Sequence, residues 1–386
     1  MKAAPSNIDF DFMRQALALA ALGQYTAHPN PRVGCILVKE GHIVGQGCHW
    51  QTGCAHAEVN ALQDAKGEGV GATCYVTLEP CAHVGRTPPC IHALIEAKIK
   101  KVVIATLDPN PKVAGKGVRA LEAAGIEVVV GVLQQEAQSL NKGFFSRMQR
   151  QRPYVRGKIG MSLDGRVAMA NGESQWITSV DSRADVQYWR ARSGAILTGS
   201  QTVKQDNCRL TVRQMKTLDL PEISFQQPLR VIVDSKLSIS AQAEIFCQPG
   251  RTVVATTSTL CSSKQKEWIN ALPLAHRSQV ECIALAEKEN HVDLLALMHW
   301  LGEREINDVL VETGPTLMGA LLQQGLIDEL LLYIAPKLLG SEAKGMIHIP
   351  GISKLADHIA GAFAEMEQVG SDLRLVVKLS DFARTT

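Results

Sequence analysis

His56-Ala57-Glu58, followed by Pro80-Cys81 and then Cys90, carry the residue types best suited to chemistry in this chain. Zinc takes tetrahedral nitrogen and sulfur donors, and a catalytic site leaves one of the four positions to water. His56, Cys81 and Cys90 offer three donors, so a water would complete the set. Bound Zn²⁺ acidifies such a water towards neutral pH and makes hydroxide available as a nucleophile. Glu58 stands two residues after His56, near the metal without being a ligand. It is the catalytic candidate, placed to take the proton and return it to a leaving ammonia. The set argues for hydrolytic deamination of an amino-substituted ring. A closed structural zinc site is the alternative. It would need a fourth donor, and Cys48, Cys54 and Cys74 are available for that.

The elements that must hold these residues can be read around them. Residues 55–65 have helical spacing and residues 72–78 read as a strand. Pro88-Pro89 precede Cys90, and residues 91–99 are again helical, so Cys90 falls at a helix start, where thiolate is favoured. Upstream, residues 8–22 form an amphipathic helix and residues 34–47 a hairpin turning at Glu40-Gly41. Downstream come a strand over 101–106, a helix over 117–124, a strand over 127–132 and a helix over 136–145. Strands alternating with helices point to an α/β sandwich. The polar stretch from Ser146 to Pro153 is read as a domain junction, giving domains 1–148 and 149–386.

The second part shows strand signals at 154–161, 195–198, 229–233, 252–255 and 308–311, with helical stretches between. The last of these runs into Glu312 and the turn Thr313-Gly314-Pro315-Thr316, and an apolar helix follows. A glycine turn feeding a helix N-terminus suits a dinucleotide pyrophosphate. Such turns are also common and mostly structural, and the full G-x-G-x-x-G fingerprint is absent.

Composition narrows the class. A chain of 386 residues can build two cores, and 46% hydrophobic with 20% charged residues fits a soluble globular protein. A net charge of +2 and 5% aromatic residues leave little footprint for nucleic acid, even with Lys98, Lys100 and Lys101 clustered. Residues 1–10 lack a long apolar core, and no run approaches the ~18 apolar residues of a membrane span, so neither a signal peptide nor a membrane is expected. Ten cysteines in such a chain suit a reducing, cytoplasmic compartment.

The general deaminase signature has two residues between its cysteines; here eight intervene, Ala82-His83-Val84-Gly85-Arg86-Thr87-Pro88-Pro89. With that insert the chain closely resembles the bacterial bifunctional riboflavin-biosynthesis deaminase/reductase family. The likeness continues through Asn30-Pro31-Arg32-Val33-Gly34, Asp108-Pro109-Asn110, Ser162-Leu163-Asp164-Gly165-Arg166, Ser174-Gln175-Trp176-Ile177-Thr178 and Glu312-Thr313-Gly314-Pro315-Thr316-Leu317. It implies an N-terminal cytidine-deaminase-like three-layer α/β/α domain and a C-terminal dihydrofolate-reductase-like α/β domain, rather than a Rossmann domain. It implies Zn²⁺ and NADPH as cofactors and a phosphorylated pyrimidine as substrate. A homo-oligomer is expected.

The resemblance also distributes roles. Asn30, His49, His83, Arg86 and Asn110 would line the pyrimidine pocket, although His49 alone reads more readily as a structural histidine. Gly160, Trp176, Thr202, Asp206 and Ser235 would face the cofactor, together with Gly314, Pro315, Thr316, Leu317, Met318, Gly319 and Ala320. Lys158, Ser174, Arg190, Leu210, Arg213 and Glu312 would face the substrate. Arg190 and Arg213 suit a phosphate, because guanidinium forks pair with phosphate oxygens. Trp176 could stack on a flat ring, though a tryptophan is more often core. Ser235 and Lys236, after a strand, are candidates for a 2′-phosphate. The family often has a second acidic residue and a proline where Gln205 and Asn207 stand, which weakens the match at Asp206.

Overall fold

The structure is a computed structural model that describes residues 5–82, 89–111, 113–213 and 225–380. Two compact units part between Gln151 and Arg152.

In the first unit, α1 (Asn7–Leu22) begins with a reciprocal cap between Ser6 and Asp9. Strands β1 (Gly34–Lys39) and β2 (His42–Cys48) form the hairpin, turning through Glu40 at φ 52° and Gly41 at φ 82°. Two positive φ values are what a tight hairpin turn needs. There follow α2 (Ala57–Asp64), β3 (Thr73–Val76), α3 (Cys90–Glu96), β4 (Lys101–Ile104), α4 (Lys116–Ala123) and β5 (Glu127–Val130). The sheet order is β2-β1-β3-β4-β5, with β1 antiparallel to both neighbours and β3, β4 and β5 parallel.

Alternate strand residues face opposite sides. Cys35, Leu37, Cys74 and Val76 pack with Ala57, Ala61 and Leu94 of α2 and α3. Ile36, Val38, Tyr75 and Val103 pack on the other face with Met13 and Ala16 of α1. The result is a three-layer α/β/α unit. Helix α2 lies against β2 because Gly45 and Gly47 have no side chain: a Cβ at either would sit 2.3 Å from a carbonyl oxygen of α2. That approach fixes the N-terminus of α2, where His56 and Glu58 stand.

Two local expectations are corrected. The helix expected over 136–145 is two helices, α5 (Gln134–Leu140) and α6 (Lys142–Arg150). Asn141 divides them: its side chain accepts from Arg32 N at 2.8 Å and donates to Arg32 O at 2.9 Å. Side-chain bonds of this kind compete with helical pairing. The stretch from Ser146 is accordingly helical up to Arg150, whose Nη2 donates to Ser146 Oγ at 2.6 Å. Gln151 at φ 56° then ends the helix before Pro153.

The second unit contains β6 (Tyr154–Ser162), β7 (Arg166–Ala168), α7 (Val180–Ala191), β8 (Ala195–Gly199), α8 (Ser200–Asp206), β9 (Leu229–Val233), β10 (Thr252–Thr257) and α9 (Ser262–Ala271). It continues with β11 (Val280–Leu285), β12 (Glu287–Lys288), β13 (His291–Val292), α10 (Leu294–Glu303), β14 (Asp308–Val311) and α11 (Pro315–Gln323). Last come β15 (Glu329–Ala335), β16 (Lys344–Gly345), β17 (Gly361–Val369) and β18 (Asp372–Leu379). The main sheet runs β11-β10-β9-β8-β14-β6-β15-β18-β17, parallel from β11 through β15, with β18 antiparallel to both β15 and β17, and β7 pairs with β16 in a separate ribbon. Arg156 on β6 ties the centre together, donating to Asp308 at 2.7 Å and pairing with Glu329. Strands β8, β14 and β6 are neighbours, and open α/β sheets bind ligands beyond the carboxyl ends of such strands.

Candidate active sites

His56 caps α2, and Cys90 opens α3 directly after Pro89. Both helix starts bring their residues to Cys81, which follows the end of the β3 segment. His56 Nδ1 lies 3.0 Å from Cys90 Sγ and 3.7 Å from Cys81 Sγ, and the two sulfurs are 3.5 Å apart. Zinc bonds of about 2.0–2.3 Å in a tetrahedron separate donors by roughly 3.3–3.8 Å; the two separations to Cys81 fall in that range and the His56–Cys90 one is slightly shorter, so one nitrogen and two sulfurs are gathered at zinc-binding spacing. Among the described residues no fourth His, Cys, Asp or Glu joins this group. Cys48 and Cys74 are buried elsewhere and Cys54 is exposed, which removes support for a closed structural site. The Cys81 thiol is lowered to about 4, chiefly by the hydrogen bond from Cys90, with burial opposing. A thiolate already favoured at this position is ready for a cation.

Glu58 is only 3% exposed on the first turn of α2, and its carboxylate meets the Cys90 thiol. Burial raises its carboxyl above the usual range. The site therefore sets a non-ligand carboxyl beside three donors.

His49 is 2% exposed. Its Nδ1 faces Ala55 O at 3.1 Å and its Nε2 faces the Asn30 amide at 3.0 Å. Burial lowers it to about 4, so it is neutral near pH 7, donating to Ala55 and accepting from Asn30. Its ring meets the His56 ring edge-on at 5.1 Å between centroids. His49 thus links Asn30 to the backbone at Ala55 and packs against His56. His83 and Arg86 lie outside the described residues.

Asn110 N donates to Asp108 Oδ1 at 2.8 Å, and that loop hangs on a residue given no role from sequence. Buried Glu79, two residues before Cys81, accepts from the backbone N–H groups of Asp108, Gly115, Gly117 and Val118 at 2.9–3.3 Å. Its position two residues before Cys81 was the only signal in the sequence.

In the second unit a cleft of about 850 Å³ opens at the ends of β6, β8 and β14. Its walls bring together Lys158, Gly160, Ser174, Trp176, Thr202 and Asp206, and also Arg190, Leu210, Arg213 and Glu312. Trp176 is 62% exposed, not core, and Arg183 lies over its ring at 4.4 Å. Thr202 Oγ1 accepts from Gly314 N at 3.2 Å, joining α8 to the start of α11.

Glu312 is clasped at the centre. Arg190 donates from Nε to Oε1 at 2.6 Å and from Nη2 to Oε2 at 2.9 Å, while Nη1 donates to Thr211 O at 3.0 Å. Lys158 Nζ is 3.9 Å from Oε2. Burial alone would raise the Glu312 carboxyl, but Arg190 and Lys158 outweigh it and hold it low. Burial lowers the Lys158 amine. Arg190 stands in the cleft wall as expected, with its fork on the Glu312 carboxylate. Arg213 keeps its reading as a phosphate ligand: its backbone N–H goes to Gln187 at 2.9 Å, and its guanidinium makes no hydrogen bond or ion pair among the described residues.

Some residues expected at the cofactor lie outside the wall of this cleft. Ser235 is not in the cleft wall; its Oγ accepts from Val292 N at 3.0 Å. Of the turn and helix from Gly314 to Ala320, the wall takes Gly314 and Pro315 and leaves out Thr316, Leu317, Met318, Gly319 and Ala320. Past its first turn, a helix lying on a sheet gives one stripe to the core. Met318 is fully buried, and Gly319 backs onto the His348 carbonyl.

Residues 6–106 match the family described as the cytidine and deoxycytidylate deaminase zinc-binding region, and residues 153–375 match the RibD C-terminal domain. The riboflavin biosynthesis protein RibD of Escherichia coli (strain K12) is 49% identical over 370 residues, which is 94% of this chain and 97% of that protein. Among solved structures, Acinetobacter baumannii RibD (form 1) superposes with a TM-score of 0.86 at 42% identity, covering 97% of this chain and 99% of its own. The diaminohydroxyphosphoribosylaminopyrimidine deaminase/5-amino-6-(5-phosphoribosylamino)uracil reductase of Thermotoga maritima gives 0.82 at 33% identity, covering 97% and 99%. Likeness at this level runs through both units, and the chain belongs to the RibD family of riboflavin-biosynthesis proteins.

Proposed function

We propose that residues 1–148 remove the ring amine of 2,5-diamino-6-ribosylamino-4(3H)-pyrimidinone 5′-phosphate and that residues 149–386 then reduce the ribosyl group to ribityl, giving 5-amino-6-(5-phosphoribitylamino)uracil. The enzyme is a bifunctional deaminase and reductase of riboflavin biosynthesis that uses Zn²⁺ and NADPH. The observation that carries the division of labour is that a three-donor cluster with a buried Glu58 lies in one unit and a cationic cleft in the other.

His56, Cys81 and Cys90 would hold zinc, which supplies a Lewis acid that activates water. Glu58 takes the proton from the attacking water on its carboxylate and returns it to the leaving amine. Asn30, oriented by His49, and Asn110, carried on the Glu79-bound loop, orient the pyrimidine; His83 and Arg86 are assigned to the same pocket from the sequence. In the second unit, NADPH supplies the hydride for the sugar C1′. Gly160, Trp176, Thr202, Asp206, Gly314 and Pro315 would seat the cofactor. Lys158, Ser174, Leu210, Arg213 and Glu312 would seat the substrate, Arg213 on its phosphate and Arg190 by holding Glu312.

A homo-oligomer is part of the proposal. It is supported by the edge strand β17, whose Phe363 and Met366 are 78% and 73% exposed, an edge of the kind that pairs with another chain. A cytoplasmic location is supported by ten free cysteines. No helix among the described residues is long and apolar enough to cross a membrane.

Purified enzyme given the diaminopyrimidinone ribotide and NADPH should release ammonia and consume NADPH in step. It should carry about one zinc per chain, and Cys90→Ser should lose both the metal and ammonia release. Full deamination by zinc-free protein would overturn the proposal.

A further inference from the structure

The cleft of the second unit has six cationic side chains in its wall, Lys158, Arg183, Arg190, Arg209, Arg213 and Lys344, against two acidic ones, Asp206 and Glu312. Four of the six are engaged. Lys158 and Arg190 face Glu312, Arg209 pairs with Glu244 at 3.1 Å, and Arg183 covers Trp176. Arg213 is the residue assigned above to the substrate phosphate. That leaves Lys344, an exposed lysine that makes no hydrogen bond or ion pair among the described residues.

Lys344 is nevertheless held in place. It opens β16, which pairs with β7 so that Lys344 stands opposite Ala168, another residue of the cleft wall. Arg166 Nη1 donates to Ala343 O at 3.2 Å, and Met346 N donates to Gly165 O at 3.1 Å, fixing the strand on both sides of Lys344. His348 N donates to Pro315 O at 3.2 Å, which ties the same strap to the first turn of α11. The ammonium reaches over the loop that leads to Ser174 and Trp176: a Cβ at Gly172 would be 3.8 Å from Nζ. A cation on an anchored strand, without an ion pair among the described residues and in the wall of a cleft read as taking two phosphorylated reactants, favours an anion.

Resting on the reductase reading of this cleft, we propose that Lys344 is a further binding residue that holds a phosphate group of NADPH or of the sugar-phosphate substrate. The test measures NADPH binding by nicotinamide fluorescence and, separately, the KM for deaminated substrate at saturating NADPH. Lys344→Ala is expected to weaken one of the two by about 10- to 150-fold, as expected for loss of a charged hydrogen bond, and Lys344→Arg to restore most of it. A weaker NADPH Kd assigns the cofactor phosphate, and a raised substrate KM with unchanged NADPH Kd assigns the substrate phosphate. Unchanged values for both in Lys344→Ala, or a loss that Lys344→Arg does not restore, overturn the proposal. Failure of the underlying reading is distinct, because then the wild-type protein itself would not bind NADPH.

Discussion

Glu58→Gln should retain zinc and lose deamination by roughly 10²–10⁴-fold, the share a positioned proton carrier contributes. The glutamine keeps the length and shape of a side chain that is 3% exposed on the first turn of α2. The three donors are untouched, because His56, Cys81 and Cys90 close on one another without Glu58. What disappears is the acceptor for the proton of the attacking water and its return to the amine. Metal analysis and ammonia release on the same preparation check this. Near wild-type ammonia release would show that Glu58 carries no proton.

Glu312→Ala should cost the second unit about 3–5 kcal/mol, the usual result of removing one partner from a buried ion pair. Arg190 and Lys158 would be left with their charges and no carboxylate between them. Reduction should fail with it, since the clasp lies in the cleft wall. The pH dependence has a definite sign. The Glu312 carboxyl is held below its ordinary value, so its contribution is fully present above the ordinary carboxylate range and is lost as pH falls through the lowered value. Chemical denaturation of both proteins near neutral pH measures the difference; an unchanged midpoint would mean that the clasp does not stabilise the unit. Arg213→Ala, at an exposed side chain that makes no hydrogen bond or ion pair among the described residues, should leave the midpoint nearly unmoved.

Metal chemistry was the most legible feature of the chain, because His56, Glu58, Cys81 and Cys90 each sit beside a local signal. Pro89 starts α3 at Cys90, and the first helical residue after His56 starts α2. The alternating strand faces of the first unit were legible for the same reason: Cys35 and Leu37 against Ile36 and Val38 is a period of two. Features that depend on distant partners were not. The break at Asn141 is made by Arg32, more than a hundred residues away, and no local pattern announces it. The hub at Glu79 collects amides from residues 108–118. The clasp of Arg190 on Glu312 joins residues 122 positions apart. The glycine turn at Gly314 was read correctly as the start of a helix, but periodicity could not say how far along α11 the cleft extends, and only Gly314 and Pro315 reach it. Strand β15 passed unnoticed because its run from Glu329 to Ala335 is almost continuously apolar, a pattern that buried strands share with buried helices.

The central claim is that two independent sites work in one chain, and reduction of already deaminated substrate by Glu58→Gln tests it most directly. NADPH consumption would be followed with that substrate supplied, so that the first site is bypassed. With unlike chemistries on separate cores, and coupling requiring a shared two-state element, the rate should equal that of the wild type while ammonia release from the diamino substrate stays lost. Loss of NADPH consumption in a zinc-replete, folded variant would contradict two sites and require a single composite one.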